Sequence, residues 1–149
     1  MTRPIRILVA DDAETITTLL MTSLELKGYA VTTARNGVEA HELGMTQPFD
    51  LVILDQLMPG LSGLEVIRKW HEQGMNIPVI MLSGVDDEKT VVDSLDLGAV
   101  DFVRKPFHLP ELMARIRQRL RALEIELAAD SEDRSNGSGA TADNQDAAQ

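Results

Sequence analysis

Apolar residues gather in five short runs, at positions 5–10, 29–34, 51–54, 79–82 and 100–104. The run at 51–54, Leu-Val-Ile-Leu, has no polar break and reads as a strand buried on both faces. The run at 29–34 alternates Tyr29, Val31 and Thr33 with smaller residues, as a strand with one more exposed face would. Between the runs the spacing turns helical. Over 13–27, Ile16, Leu19, Leu20 and Leu24 share a face, with Asp12 as the expected N-cap and Gly28 as the stop. Asn36-Gly37 marks a turn from strand into helix. A third helix over 64–73 carries Leu64, Ile67 and Trp70 and stops at Gly74. A fourth, over 86–97, opens with acids that suit the helix dipole and ends at Gly98. The last, over 110–127, puts Leu112, Ile116, Leu120, Leu123 and Leu127 on one stripe.

The pattern is strand then helix, five times over. Such alternation predicts an α/β fold: one parallel sheet covered by helices on both faces. From residue 129 the composition changes to Asp, Ser, Gly, Asn and Ala with no large apolar side chain. A segment of that kind cannot bury enough surface to order itself. The chain is therefore expected to hold one domain over 1–128 and a disordered polar, acidic tail over 129–149.

Composition narrows the chemistry. There is no cysteine, which excludes disulfides, thiolate metal sites and thiol catalysis. Aromatics make up 3% of the residues, too few for a base-stacking platform. A net charge of -10 disfavours binding of nucleic acid or anionic membrane by the whole molecule. The N-terminal segment lacks the ~20 apolar residues of a membrane span and reads as neither anchor nor signal peptide. A cytoplasmic location is the expectation. His41, His71 and His108 show no metal-ligand spacing and are expected on the surface.

The polar residues that close the runs carry the signal. The first strand ends in Asp11-Asp12, the third in Asp55, the fourth in Ser83 and the fifth in Lys105. In a parallel sheet these ends share one edge, where open α/β sheets bind their ligands. Three carboxylates gathered there repel one another and raise each other's pKa, which a divalent cation relieves. Oxygen ligands alone imply a hard ion, and Mg2+ suits a site that keeps waters for a phosphate to replace. A carboxylate in such a place can act as a nucleophile on a phosphoryl group. Asp55 is the candidate, with Asp11 and Asp12 holding the cation and Lys105 and Ser83 contacting phosphoryl oxygens. No GxxxxGK[ST] loop is present, so the donor is another molecule.

These residues, in VADDAE, LVILDQLMPGLSG, IMLSGV and DFVRKPF, are those of a known family. The chain resembles the receiver domain of two-component response regulators, the CheY-like superfamily, from about Ile5 to Leu127. The resemblance implies a flavodoxin-like (βα)5 fold with five parallel strands in the order 2-1-3-4-5. It implies phosphorylation of Asp55, with Mg2+ held by Asp11, Asp12, Asp55 and the backbone carbonyl of Leu57. It implies phosphoryl contacts from Ser83 and Lys105, a cis Lys105-Pro106 bond, and a switch made by Ser83 and Phe102. It also implies partners: a sensor histidine kinase or a histidine phosphotransfer protein as donor. Leu57 and Val85 flank the site and are expected to tune the lifetime of the phosphoryl group.

The last helix, with ELMARIRQRLR, is similar to those of receivers that precede winged-helix DNA-binding domains. That likeness implies a homodimer through the fourth helix, fifth strand and fifth helix, with Asp101 pairing Arg115 across a twofold axis. One departure is that Val100 stands where the family has a second acid. A solvated helix face is the plainer reading of the arginine stripe, and DNA binding by it the least favoured. Three other functions stay open: the N-terminal receiver of a longer transcription regulator or output enzyme, an Asp-nucleophile phosphatase, and a flavodoxin-like cofactor binder. The phosphatase is disfavoured because Leu57 occupies the position of its general acid. The cofactor binder is disfavoured by acids where a phosphate cradle should be.

Overall fold

The computed structural model describes residues 3–84 and 88–139, with side chains as far as Glu124. The elements run β1 Arg6–Ala10, α1 Glu14–Glu25, β2 Ala30–Ala34, α2 Gly37–Thr46, β3 Leu51–Asp55, α3 Gly63–Glu72, β4 Val79–Ser83, α4 Glu88–Asp96, β5 Ala99–Arg104 and α5 Leu109–Gly139. The five strands form one parallel sheet in the order β2-β1-β3-β4-β5. The parallel α/β sheet is the one the alternation of runs predicts, and its strand order is the flavodoxin-like one that the family resemblance implies. Among the described residues, no helix is long and apolar enough to cross a membrane.

The central strands are buried along their whole length, because helices cover both faces of the sheet. On one face Leu8, Val52, Leu54, Val79 and Met81 meet Val66, Ile67 and Trp70 of α3 and Ala40 of α2. The alternate residues Ile7, Val9, Ile53, Ile80 and Leu82 point the other way and are equally buried. Burying ten such side chains supplies ~15–30 kcal/mol before chain entropy is set against it. β2 lies at the sheet edge and is half-buried, as its alternation predicts. The indole of Trp70 donates to the carbonyl of His41 at 3.2 Å. Its ring lies against Gly44, where a Cβ would enter the ring.

Several expectations need correction. Thr17, Leu20 and Leu24 form the buried stripe of α1, while Leu19 is 43% exposed. The 3.6-residue period favours the set 17, 20, 24, and Thr17 satisfies its hydroxyl on Glu14 O at 3.1 Å. Asp12 does not cap α1. The N-cap is Ala13, with no side-chain cap, and Asp11 Oδ1 accepts from Ala13 N at 2.9 Å. His71 and His108 are exposed, but His41 is half-buried beside the Trp70 contact. The fourth helix was expected from residue 86; its first expected residues and Val85 lie outside the described residues. α5, described by itself, has Leu112, Ile116 and Leu120 buried on one stripe and runs on to Gly139 rather than ending near Leu127. Adding residues to an established helix costs only their propensity differences. Residues 140–149 of the expected tail lie outside the described residues.

Candidate functional site

Sheet register brings the acids together. Ala10 pairs with Leu54, so Asp11 and Asp55 follow side by side on adjacent strands. β4 lies on the far side of β3, with Leu82 opposite Asp55 and Ser83 one residue beyond. β5 pairs Arg104 with Ser83, and the next residue, Lys105, donates its N–H to Ser83 O at 2.8 Å. The chain then turns through the cis Lys105-Pro106 bond, as expected.

Asp11, Asp12 and Asp55 each offer a carboxylate oxygen, and these atoms lie within 4.8 Å of one another. Asp11 and Asp55 are buried and Asp12 is exposed, so the cluster is open on one side. Lys105 Nζ reaches in to Asp11 Oδ2 at 2.8 Å and Asp55 Oδ1 at 3.1 Å. One ammonium thus faces three carboxylates. Burial, and then the charge of Asp11, holds the Asp55 carboxyl above the usual carboxylate range, against the pull of Lys105. Burial works against the Lys105 ammonium too, but the hydrogen bonds it donates to Asp11 and Asp55 prevail and keep its pKa raised. The excess of negative charge, the all-oxygen donor set and the open side fit a hard divalent cation with some water ligands.

The local sequence explains how Asp55 is held. β3 is a buried apolar strand, and Asp55 is its last residue. The chain crosses to α3 through a loop ending in a capping box: Ser62 Oγ accepts from Glu65 N, and Glu65 Oε1 from Ser62 N. That hydrogen bond from Ser62 keeps the Glu65 carboxyl below its ordinary range. Gly37 at the start of α2 donates to Pro59 O at 3.1 Å. A Cβ at Gly37 would collide with the Leu61 carbonyl, so glycine is what lets this loop lie against α2. Asn36 caps α2 through Glu39 N at 2.7 Å.

The other predicted residues are more scattered. Ser83 is fully buried at the end of β4. Leu57, beside the site, is 61% exposed. Phe102 is half-buried on β5, packed against the core opposite Met81. Asp101 accepts from Phe102 N at 2.8 Å, and Arg115 pairs with Glu111 along α5 at 3.1 Å. Gln56 was not anticipated from sequence. Its carboxamide accepts from Leu64 N at 2.8 Å, a bond eight residues long that leaves no local pattern to read.

Residues 7–117 match the response regulator receiver domain family. This chain belongs to that family. A receiver domain of known structure from a Francisella response regulator is 33% identical, with a TM-score of 0.75 over 81% of this chain and 99% of that one. The response regulator TrrA of Thermotoga maritima, solved in complex with Mg2+ and BeF, is 36% identical with a TM-score of 0.68, over 77% and 98%. The alkaline phosphatase synthesis transcriptional regulatory protein PhoP of Bacillus subtilis is 43% identical over 120 residues, 80% of this chain and 50% of PhoP. This receiver chain spans about half the length of the curated relatives it matches.

Proposed function

We propose that this receiver takes a phosphoryl group on Asp55 from a phosphohistidine of a sensor histidine kinase or a histidine phosphotransfer protein. The observation that carries the reading is the convergence of Asp11, Asp12, Asp55 and Lys105 at one sheet edge. A carboxylate oxygen of Asp55 attacks phosphorus. The P–N bond breaks, its electron pair returns to the imidazole nitrogen, and an acyl phosphate forms. Asp11, Asp12, Asp55 and the Leu57 carbonyl would hold Mg2+, whose charge offsets that of the phosphoryl oxygens. Lys105 gives up part of its pairing with Asp55 to meet a phosphoryl oxygen, and Ser83 supplies a hydrogen bond. The chain thus promotes its own phosphorylation, and later the hydrolysis of the acyl phosphate.

Phosphorylation adds charge and acceptor oxygens beside Ser83. Drawing Ser83 toward them frees space into which half-buried Phe102 turns, which changes the surface of α4, β5 and α5. That surface serves a homodimer, with Asp101 and Arg115 paired across a twofold axis, or a downstream partner. The reading puts the protein in the cytoplasm, with the receiver ending near residue 128. A second reading is supported by the likeness to transcriptional regulatory proteins: a receiver serving a longer DNA-binding regulator.

Intact mass after incubation with acetyl phosphate and Mg2+ tests the proposal. One phosphoryl group on the wild type, lost in Asp55→Ala and without Mg2+, is expected. An unmodified wild type under all conditions would overturn it.

A further inference from the structure

Gln56 lies between Asp55 and Leu57, and three hydrogen bonds pin it. Its N–H donates to Leu82 O at 2.9 Å, its carbonyl accepts from Gly63 N at 2.9 Å, and its side-chain Oε1 accepts from Leu64 N at 2.8 Å. Gly63 and Leu64 are the first two residues of α3, whose opening N–H groups have no partner within the helix. The third, Glu65 N, goes to Ser62. One residue at the end of the strand therefore satisfies two of the first three donors of the helix. Gln56 is 8% exposed, so water does not readily replace its carboxamide.

The approach is close. A Cβ on Gly63 would lie 2.7 Å from the Asp55 carbonyl oxygen and 2.9 Å from Met81 Cε. Glycine lets α3 begin directly over the strand end, and Gln56 fastens it there. The backbone from Asp55 to Leu57 cannot rotate without breaking a bond to Gly63 or Leu64. An apolar residue at 56 would leave the half-buried Leu64 without an acceptor for its N–H, and the turn would relax to find one.

We propose that Gln56 is a positioning residue. Its carboxamide locks the β3–α3 turn so that the Asp55 carboxylate and the Leu57 carbonyl face a divalent cation together. This rests on the phosphoacceptor reading for the identity of the ligand. Gln56 itself touches neither the cation nor the phosphoryl group.

The test is a Mg2+ titration of the full chain, followed by backbone amide NMR, on wild type and four variants. Gln56→Met keeps the bulk and loses the acceptor. It should weaken Mg2+ binding by about 10-fold or more, the usual cost of removing a group that orients a ligand. Without Mg2+, its Leu64 amide should also exchange faster. Gln56→Glu keeps the acceptor and should restore slow exchange of that amide. Gln56→Asn, with its acceptor one methylene short, is a milder change and should lose affinity in the same direction if Gln56→Met does not fold. Ser62→Ala removes a cap bond from the same helix without touching any bond made by residues 55–57, and should keep the wild-type affinity. The proposal is overturned if Gln56→Met binds Mg2+ as the wild type does. It is equally overturned if Ser62→Ala loses as much as Gln56→Met, since general helix capping would then explain the loss. A wild type that binds no Mg2+ would contradict the site reading itself.

Discussion

Two turns in this molecule do the same job with different materials. At the β1–α1 turn, Asp11 is both structural and electrostatic: Oδ1 holds Ala13 N, Oδ2 holds Lys105, and no side chain caps α1. At the β3–α3 turn those duties are separated. Gln56, Ser62 and Glu65 satisfy the start of α3, and the Asp55 carboxylate meets Lys105 while capping nothing. In the proposed reaction Asp55 is thus left to Lys105, the cation and phosphorus, whereas one oxygen of Asp11 is held by a backbone N–H. The difference in hydrogen bonding distinguishes Asp55, proposed as both nucleophile and cation ligand, from Asp11, proposed as a ligand alone, although both are buried acids at strand ends.

The largest effect should come from the group shared by the two turns. Lys105→Met is expected to slow phosphorylation by ~100-fold, by analogy with the loss of one donor to a developing anion. It should nevertheless bind Mg2+ at least as tightly as the wild type, because the site loses a positive charge. Phosphorylation kinetics beside a metal titration would check both halves, and weaker Mg2+ binding would contradict the assigned role.

A change outside the acids should disturb the β3–α3 side alone. Gly37→Ala is expected to cost about 1–3 kcal/mol, because its Cβ meets the Leu61 carbonyl. Denaturant unfolding gives the value, and the β1–α1 amide signals should stay in place.

The charge of Asp55 gives a pH signature. Its carboxyl is raised in the folded state, so the protonated form favours folding and the ionised form opposes it. The stabilising contribution is complete below the unfolded carboxyl value and is lost as pH rises through the folded one. Metal-free Asp55→Asn should therefore be more stable than wild type at neutral pH. The advantage should fade on acidification through the raised value toward the ordinary carboxylate range. Thermal melts across pH would show it, and a constant offset at all pH values would point to packing instead.

The smallest effect concerns the capping alone. Ser62→Ala should cost about 1 kcal/mol, the usual value of an N-cap, and leave phosphorylation unchanged. A loss of phosphorylation there would mean that the start of α3 and the nucleophile are less separate than the geometry indicates.

The strands were legible because central parallel strands must be apolar throughout, as 51–54 and 79–82 are. Asp11, Asp55 and Lys105 were legible because a charged residue that ends such a run marks the sheet edge where ligands bind. The Ser62–Glu65 capping box stands in the sequence at the usual S-x-x-E spacing and was equally legible there. The Gln56–Leu64 bond and the Gly37–Leu61 contact were not readable at all. Both depend on how closely one element approaches another, which no local pattern records. The choice of Asp11 over Asp12 at α1 has the same origin: the turn, rather than residue type, decides which carboxylate faces inward.

The most direct test of the central claim is to locate the phosphoryl group. Wild type treated with acetyl phosphate and Mg2+ would be reduced with borohydride, which converts an aspartyl phosphate to homoserine, and then mapped by peptide mass spectrometry. The account predicts homoserine at position 55 and aspartate at positions 11 and 12. Homoserine at 11 or 12, or at none of the three, would contradict it.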